Sequence, residues 1–258
     1  MGDCIGLIAR PTAGDPAVGR HQLNHPPGTA ILFSGSMPRY HLSQWCWEQL
    51  ETPEGSRKVH RAGLEIPRML NEALVEMTGD WAFLMGDDHV FGVRLLTHLL
   101  DRMAEGDLDV LVPLVLRKYP PYANVLYGPP LRMPDGHEGL APVDLTGKTG
   151  IIEVHAAGDA GMLIHKRVLE RLEKPWFRVG QYKPDHYQED ISFCERVRQA
   201  GCRVWCDTTV AMGHIAQVTV WPHVFPNGRR GATLALGSAT VITVDPNDLA
   251  VGAAVGVI

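Results

Sequence analysis

Three short stretches of this 258-residue chain carry side chains whose types and spacing could do chemistry. The first is Gly86-Asp87-Asp88-His89, which closes the apolar run WAFLM (81–85). Adjacent carboxylates at a strand end are natural ligands for Mg2+ or Mn2+, hard cations that prefer oxygen. The plainer reading is a solvated polar turn, where aspartate is common. The second stretch is QEDISFCERVRQAG (188–201), which places Glu189 and Asp190 where a helix opens. Carboxylates there cap the helix and complement its dipole. One whose free oxygen reaches a substrate hydroxyl can instead serve as a general base. The third is AMGHIA (211–216). A lone histidine among apolar neighbours is more often structural than a ligand, yet His214 offers the nitrogen donor that the acidic turn lacks. An imidazole suits Mn2+ better than Ca2+.

The elements that must position these residues follow from periodicity. TAILFSGSM (29–37) predicts a buried strand ending in a Gly/Ser turn, after which Ser43 would cap the short helix QWCWEQLE. RKVH (57–60) predicts a short strand. Apolar residues at 66, 69, 70, 73, 74 and 77 make the stripe of an amphipathic helix, with Pro67 tolerated in its first turn. Strand WAFLM follows. VFGVRLLTHLLDRMAE (90–105) reads as a helix and DVLVPLVLRKY as a strand covered on both faces. This alternation predicts a doubly wound sheet, whose ligands collect at the carboxyl ends of its strands. Both the SGSM turn and GDDH sit at such ends.

Residues 118–150 are dense in Pro, Gly and Tyr and read as loops with a hairpin over one end of the sheet. IIEVHAAGDAGMLIHKRVLERLEKPWF then gives strand, Gly-rich turn, strand and helix. The helix from Glu189 would end at Gly201 and lead into strand CRVWCD. QVTVWPHV, GATLALG and SATVITVD predict a β-rich extension over 217–258, and residues 1–28 an irregular arm, leaving 29–216 as the main domain.

Composition sets the outer bounds. Lys plus Arg is 24 and Asp plus Glu is 29, and a net charge of −5 leans away from a polyanionic partner. The five cysteines (4, 46, 194, 202 and 206) include no C-x-x-C pair, so zinc spacing is lacking and a reducing, cytoplasmic setting is expected. No apolar run approaches the roughly 18 to 20 residues of a membrane span, and the start reads without a signal peptide.

The order of these motifs resembles the GT-A glycosyltransferases, particularly family-2-like enzymes and the compact ones of bacteria and their phages. The succession is a strand with a small polar turn, PRMLNEAL, GDDH, GDAGMLIHKRVLERL, KPWF, QEDISFCERVRQAG and GH, covering about residues 29–216. The resemblance implies a GT-A, Rossmann-like mixed sheet, mainly parallel and flanked by helices. It also implies a divalent cation, Mn2+ or Mg2+, held against the diphosphate of a nucleotide sugar, with a UDP-sugar favoured. On the family's D-x-D pattern glycine stands at the first acidic position. Asp88 would be the metal ligand and Asp87 a donor contact or second ligand, with Asp87 and His89 as the rival ligand pair. His214 would complete the metal site, and Asp190, beside Glu189, would be the base of an inverting transfer. Ser36, Met37, Arg68 and Asn71 would bind the donor, and Trp176 would lie on the acceptor side. The acceptor itself, whether glycan, protein or modified DNA base, is left open.

Two other enzyme classes fit less well. A nucleotidyltransferase would want a Gly-rich basic loop after the first strand, and SGSMPRYH holds a single arginine. A non-heme iron oxygenase would show H-x-D or H-x-E, whereas Glu138 adjoins His137. A non-catalytic nucleotide-sugar or surface-binding module is the remaining alternative.

Overall fold

The structure, a computed structural model, describes residues 25–35, 40–63, 65–132, 136, 138–178, 189–236 and 240–244. Chain order begins β1 (Thr29–Ser34), α1 (His41–Gln49), β2 (Arg57–Ala62), α2 (Ile66–Val75), β3 (Trp81–Gly86), β4 (His89–Val90), α3 (Leu95–Gly106) and β5 (Val110–Val115). The excursion carries only short pairs, β6 (Leu126–Tyr127) and the hairpin β7 (Leu131–Arg132) with β8 (Glu138–Gly139). The chain returns through β9 (Ile151–Val154), β10 (Ala156–Ala157), β11 (Met162–His165), α4 (Lys166–Arg171), α5 (Glu189–Gln199) and β12 (Val204–His214). It ends in β13 (Val218–Val224), β14 (Arg230–Leu236) and β15 (Thr240–Val244).

The central sheet has the order β2-β1-β3-β11-β5-β12-β4, with β9 also paired to β12. β2, β1, β3, β5 and β12 run in one direction, and β11 runs against β3 and β5. This is the mixed, mainly parallel α/β sheet flanked by helices that the sequence predicts. Alternation along the strands feeds two apolar layers. Ile31, Phe33, Ala82 and Leu84 face α2, α4 and α5 on one side. Ala30, Leu32, Trp81, Phe83 and Met85 face α1 and α3 on the other. All six predicted stripe positions of α2, from Ile66 to Met77, pack in the first layer.

Two local expectations need correction. Ser43 does not cap α1, because the helix starts at His41 with Tyr40 at its N-cap. Ser43 is buried inside the helix, its hydroxyl without a partner. The helix expected from Val90 begins only at Leu95. His89 and Val90 instead pair with His214 and Gly213, and this ladder outweighs their helical periodicity.

The expected extension forms a separate three-stranded antiparallel sheet, β13-β14-β15. Val218, Val220 and Val224 of β13 lie on one face with Ile242 of β15, and all four are exposed. Among the described residues, no helix is long and apolar enough to cross a membrane.

The last residues assigned to the arm are docked against the domain. Trp81 Nε1 donates to the Pro26 carbonyl at 2.9 Å, and the indole lies flat over Gly28. A Cβ on Gly28 would stand 2.2 Å from the ring, so only glycine lets the chain pass. Gly28→Ala should therefore destabilise the protein by roughly 2–4 kcal/mol and move Trp81, as overpacked core positions do. Urea denaturation followed by tryptophan fluorescence checks this.

Candidate metal centre and carboxylate edge

β3 delivers Gly86 at the carboxyl edge of the sheet, and the chain turns at once into β4. β12 is unusually long because its register with β5 shifts between Asp207 and Ala211. Beyond that bulge it continues past the edge to pair Gly213 with Val90 and His214 with His89. Ile215 N–H donates to the Asp88 carbonyl at 2.8 Å and locks the two segments together. A strand from the end of the domain thereby sets His214 beside the acidic turn, 126 residues away in sequence.

Asp88, His89 and His214 each offer one ligand atom, and these atoms lie within 4.8 Å of one another. His214 Nε2 is 3.1 Å from Asp88 Oδ2. His214 Nδ1 is 3.0 Å from the Leu116 carbonyl, which can only accept, so this nitrogen carries the proton. Nε2 then donates to the Asp88 carboxylate only from a charged imidazolium, and in the neutral ring it aims a lone pair at that oxygen. Two acceptors at that distance repel unless a positive charge stands with them. His89 is buried and stacked on His214, with ring centroids 4.4 Å apart. Its Nδ1 approaches Asp88 Oδ1 at 3.0 Å without hydrogen-bond alignment, and among the described residues neither buried ring nitrogen makes a hydrogen bond. An orphaned imidazole, a second imidazole with its tautomer fixed and a carboxylate form a donor set that fits a divalent transition metal such as Mn2+ better than Mg2+.

Asp88 is ionised. Burial pulls its pKa upward, but the hydrogen bond with His214, the adjoining His89 and the Lys118 ammonium hold it far below the usual carboxylate range. Lys118 Nζ lies 2.6 Å from Asp88 Oδ2. The glycine at position 86 has a physical reason here. A Cβ on Gly86 would meet His89 Nδ1 at 3.3 Å and Asp88 Oδ1 at 3.4 Å, so the space of an acidic side chain is already filled by its neighbours.

A second group of carboxylates lies at the N-terminus of α5. Asp190 Oδ1 accepts from Ile191 N–H at 2.7 Å, and Oδ2 lies above the Cα of Gly158, 3.7 Å from where a Cβ would stand. Burial, with the charge of Glu189 adding to it, pushes the Asp190 carboxyl up to about 7. Asp159, in the Gly-rich turn before β11, has an Oδ2 sealed from solvent without a partner. Burial, then the charges of Asp190, Glu189 and more weakly Asp88, raise its pKa well above the ordinary value. The turn is therefore chemically part of the edge, although it was read from sequence only as a turn.

The remaining expected site residues are placed differently. Asn71 is committed to the backbone of Phe177, accepting from its N–H at 3.0 Å and donating to its carbonyl at 2.8 Å. Arg68 is exposed and paired with Glu72 on its own helix. Trp176 is a core residue whose Nε1 donates to the Leu169 carbonyl, not an exposed acceptor-side contact. Backbone pairing thus engages Asn71, packing engages Trp176, and Arg68 stands at the surface in an ion pair. Asp87 is half-buried and stands outside the three-residue cluster. Ser36 and Met37 lie outside the described residues. Lys118 was not singled out in the sequence, and its signal was its place directly after the apolar strand DVLVPLVL, at the same sheet edge as GDDH.

No protein-family model and no curated protein matches the chain. Among solved structures it is similar to A197 from STIV, at 13% identity and a TM-score of 0.50, covering 84% of this chain and 98% of that one. It is also similar to GalNAc-T7 solved with UDP, GalNAc and Mn2+, at 12% identity and a TM-score of 0.48. That match covers 73% of this chain and 44% of the other. At such identities the likeness concerns the fold alone.

If the three-residue cluster is a metal site, Asp88→Ala, His89→Ala and His214→Ala should each weaken Mn2+ binding by at least about 100-fold, more than loss of a supporting residue costs. Calorimetric titration of the folded variants with Mn2+ measures this.

Proposed function

We propose that the protein is a metal-dependent glycosyltransferase that moves a sugar from a nucleotide-diphosphate sugar to an acceptor hydroxyl with inversion. The observation that carries this reading is geometric: Asp88 lies among His89, His214 and Lys118 at the carboxyl edge of the sheet, whereas Asp190, at the start of α5 against the Gly158 turn, lies beside further carboxylates. Environments that push two carboxylates apart in this way divide the labour of charge stabilisation and proton transfer. Asp88, His89 and His214 would hold the cation, with Mn2+ favoured by the imidazoles. A divalent ion at such a site supplies Lewis-acid neutralisation of a departing diphosphate. On the other side of the sugar, Asp190 takes the proton of the acceptor hydroxyl as its oxygen bonds to the anomeric carbon. The bond from that carbon to the phosphate oxygen breaks, and the diphosphate leaves with the electron pair. A base titrating near neutrality is suited to this task.

The donor is a nucleotide sugar, with a UDP-sugar favoured by the sequence resemblance. The acceptor presents a hydroxyl on a glycan, a protein or a modified DNA base, in a cytoplasmic setting. The exposed aliphatic face of the C-terminal sheet favours a second reading, a binding module without turnover. Release of nucleoside diphosphate separates the two.

Incubation with a panel of nucleotide sugars and Mn2+ should release nucleoside diphosphate from one donor class. Asp88→Ala and Asp190→Ala should each lower turnover by roughly 100- to 10,000-fold while circular dichroism stays unchanged. Near-normal turnover in Asp190→Ala would remove the base assignment, and binding without release over long incubation would support the module.

The pH dependence has a definite sign. Asp190 works deprotonated and titrates near 7, so kcat/KM should rise with pH through about 7 and level off above it. The same raised pKa means that the folded state favours the protonated carboxyl. Its contribution to stability is full below the unfolded value and is lost as pH rises through about 7. Asp190→Asn should remove the rate dependence and reduce the stability dependence, leaving the part that Asp159 carries. Rate profiles and urea midpoints measured from pH 5 to 9 test this.

A further inference from the structure

We propose that Lys118 is a tethered counter-cation that occupies Asp88 until a divalent cation displaces it, so that the lysine weakens the binding of metal alone. The inference rests on the cation site proposed above and adds a residue that no part of that proposal uses. Lys118 Nζ is 2.6 Å from Asp88 Oδ2, the same oxygen that faces His214 Nε2 at 3.1 Å. A cation held by Asp88 and His214 would compete with the ammonium for the Asp88 carboxylate. It would also stand within a few ångströms of a like charge, where the repulsion is partly unscreened.

Geometry fixes the tether and leaves the head free to move. The loop after β5 is closed by a bridge between Leu116 and Asn124 and by Arg117 N–H donating to the Ala123 carbonyl at 2.9 Å. The lysine stem is flexible, and the neighbouring Tyr119 ring lies 5.9 Å from Nζ, offering a face along which the ammonium can rest. The lysine side chain is 28% exposed and that of Asp88 20%, so the pair is shielded enough to matter and open enough to exchange.

Two consequences follow. With Lys118 in place, the carboxylate and the His214 lone pair are neutralised by the protein itself, and a metal gains less by binding. Once displaced, the ammonium stays at the strand edge, available to an anionic diphosphate. Metal and nucleotide then bind together more strongly than either binds alone. Lys118 is a positioning residue in this scheme, not a catalytic one.

The test uses Mn2+ alone and Mn2+ with UDP, followed by calorimetry and by the Mn2+ paramagnetic resonance signal. Lys118→Met should bind Mn2+ alone about tenfold more tightly or better, whereas Lys118→Arg, which keeps the charge, should stay near wild type. The enhancement of Mn2+ affinity by UDP should shrink in Lys118→Met. In EDTA the methionine variant should melt at a lower temperature than wild type, because Asp88 loses its partner, and Mn2+ should raise its Tm by more than it raises that of wild type. Lys118→Gln is the second neutral variant should methionine perturb folding. Equal or weaker Mn2+ binding in folded neutral variants overturns the counter-cation role and leaves the metal site standing. Absence of Mn2+ binding in wild type and variants alike overturns both. The predicted tightening without transfer from any nucleotide sugar supports the counter-cation role and removes only the glycosyltransferase reading.

Discussion

The carboxyl edge of the sheet is organised around the charge of Asp88. A carboxylate drawn four-fifths out of solvent must be compensated, and this one is met by an ammonium and two imidazoles. Each compensating group arrives on a different element. Lys118 comes from the loop after β5, His214 from the far end of β12 and His89 from the next residue, turned back over Gly86. The two-residue ladder between β4 and β12 makes this arrangement available.

Separation of the carboxylates into two environments follows from the same edge. Asp88 lies among positive and imidazole partners and stays ionised. Asp190 and Asp159 lie where α5 and the Gly158 turn exclude water and where Glu189 adds negative charge, so their protons are held more tightly. A sheet edge that holds one carboxylate among cationic and imidazole partners and others among like charges is polarised before any ligand enters. Such preorganisation is worth most where charge develops during reaction.

Much of the fold was legible because its signals are local. The stripe from Ile66 to Met77, the apolar strands WAFLM and LVPLVL, and the alternation in TLAL and TVITV each report the environment of their own element. The sequence singles out Asp88, His214 and Asp190 because carboxylates and imidazoles at strand and helix ends are few, and the fold brings Asp88 and His214 together. Three other motif residues are already engaged by neighbours. Asn71, Arg68 and Trp176 are polar or amphipathic residues whose partners, the Phe177 backbone, Glu72 and the Leu169 carbonyl, are decided by packing. Motif position alone could not show that their hydrogen bonds were already in use.

Lys118 and Asp159 went unread for a related reason. Each looks like an ordinary loop residue until the sheet brings it next to another charge. Asp159 sits in a turn among glycine and alanine, where an aspartate needs no special account. α5 packs against that turn, with Cys194 Sγ lying 3.6 Å from the Ala157 carbonyl, and Asp159 Oδ2 is sealed from solvent. Lys118 follows Arg117, whose guanidinium goes to the Tyr127 hydroxyl instead. Of two adjacent cations, the loop aims one outward and one at Asp88, and that choice is set by the closure of residues 116–124. Electrostatic function in this protein is thus a property of which strand ends meet. The residues that matter most are those whose charge is balanced only across the sheet.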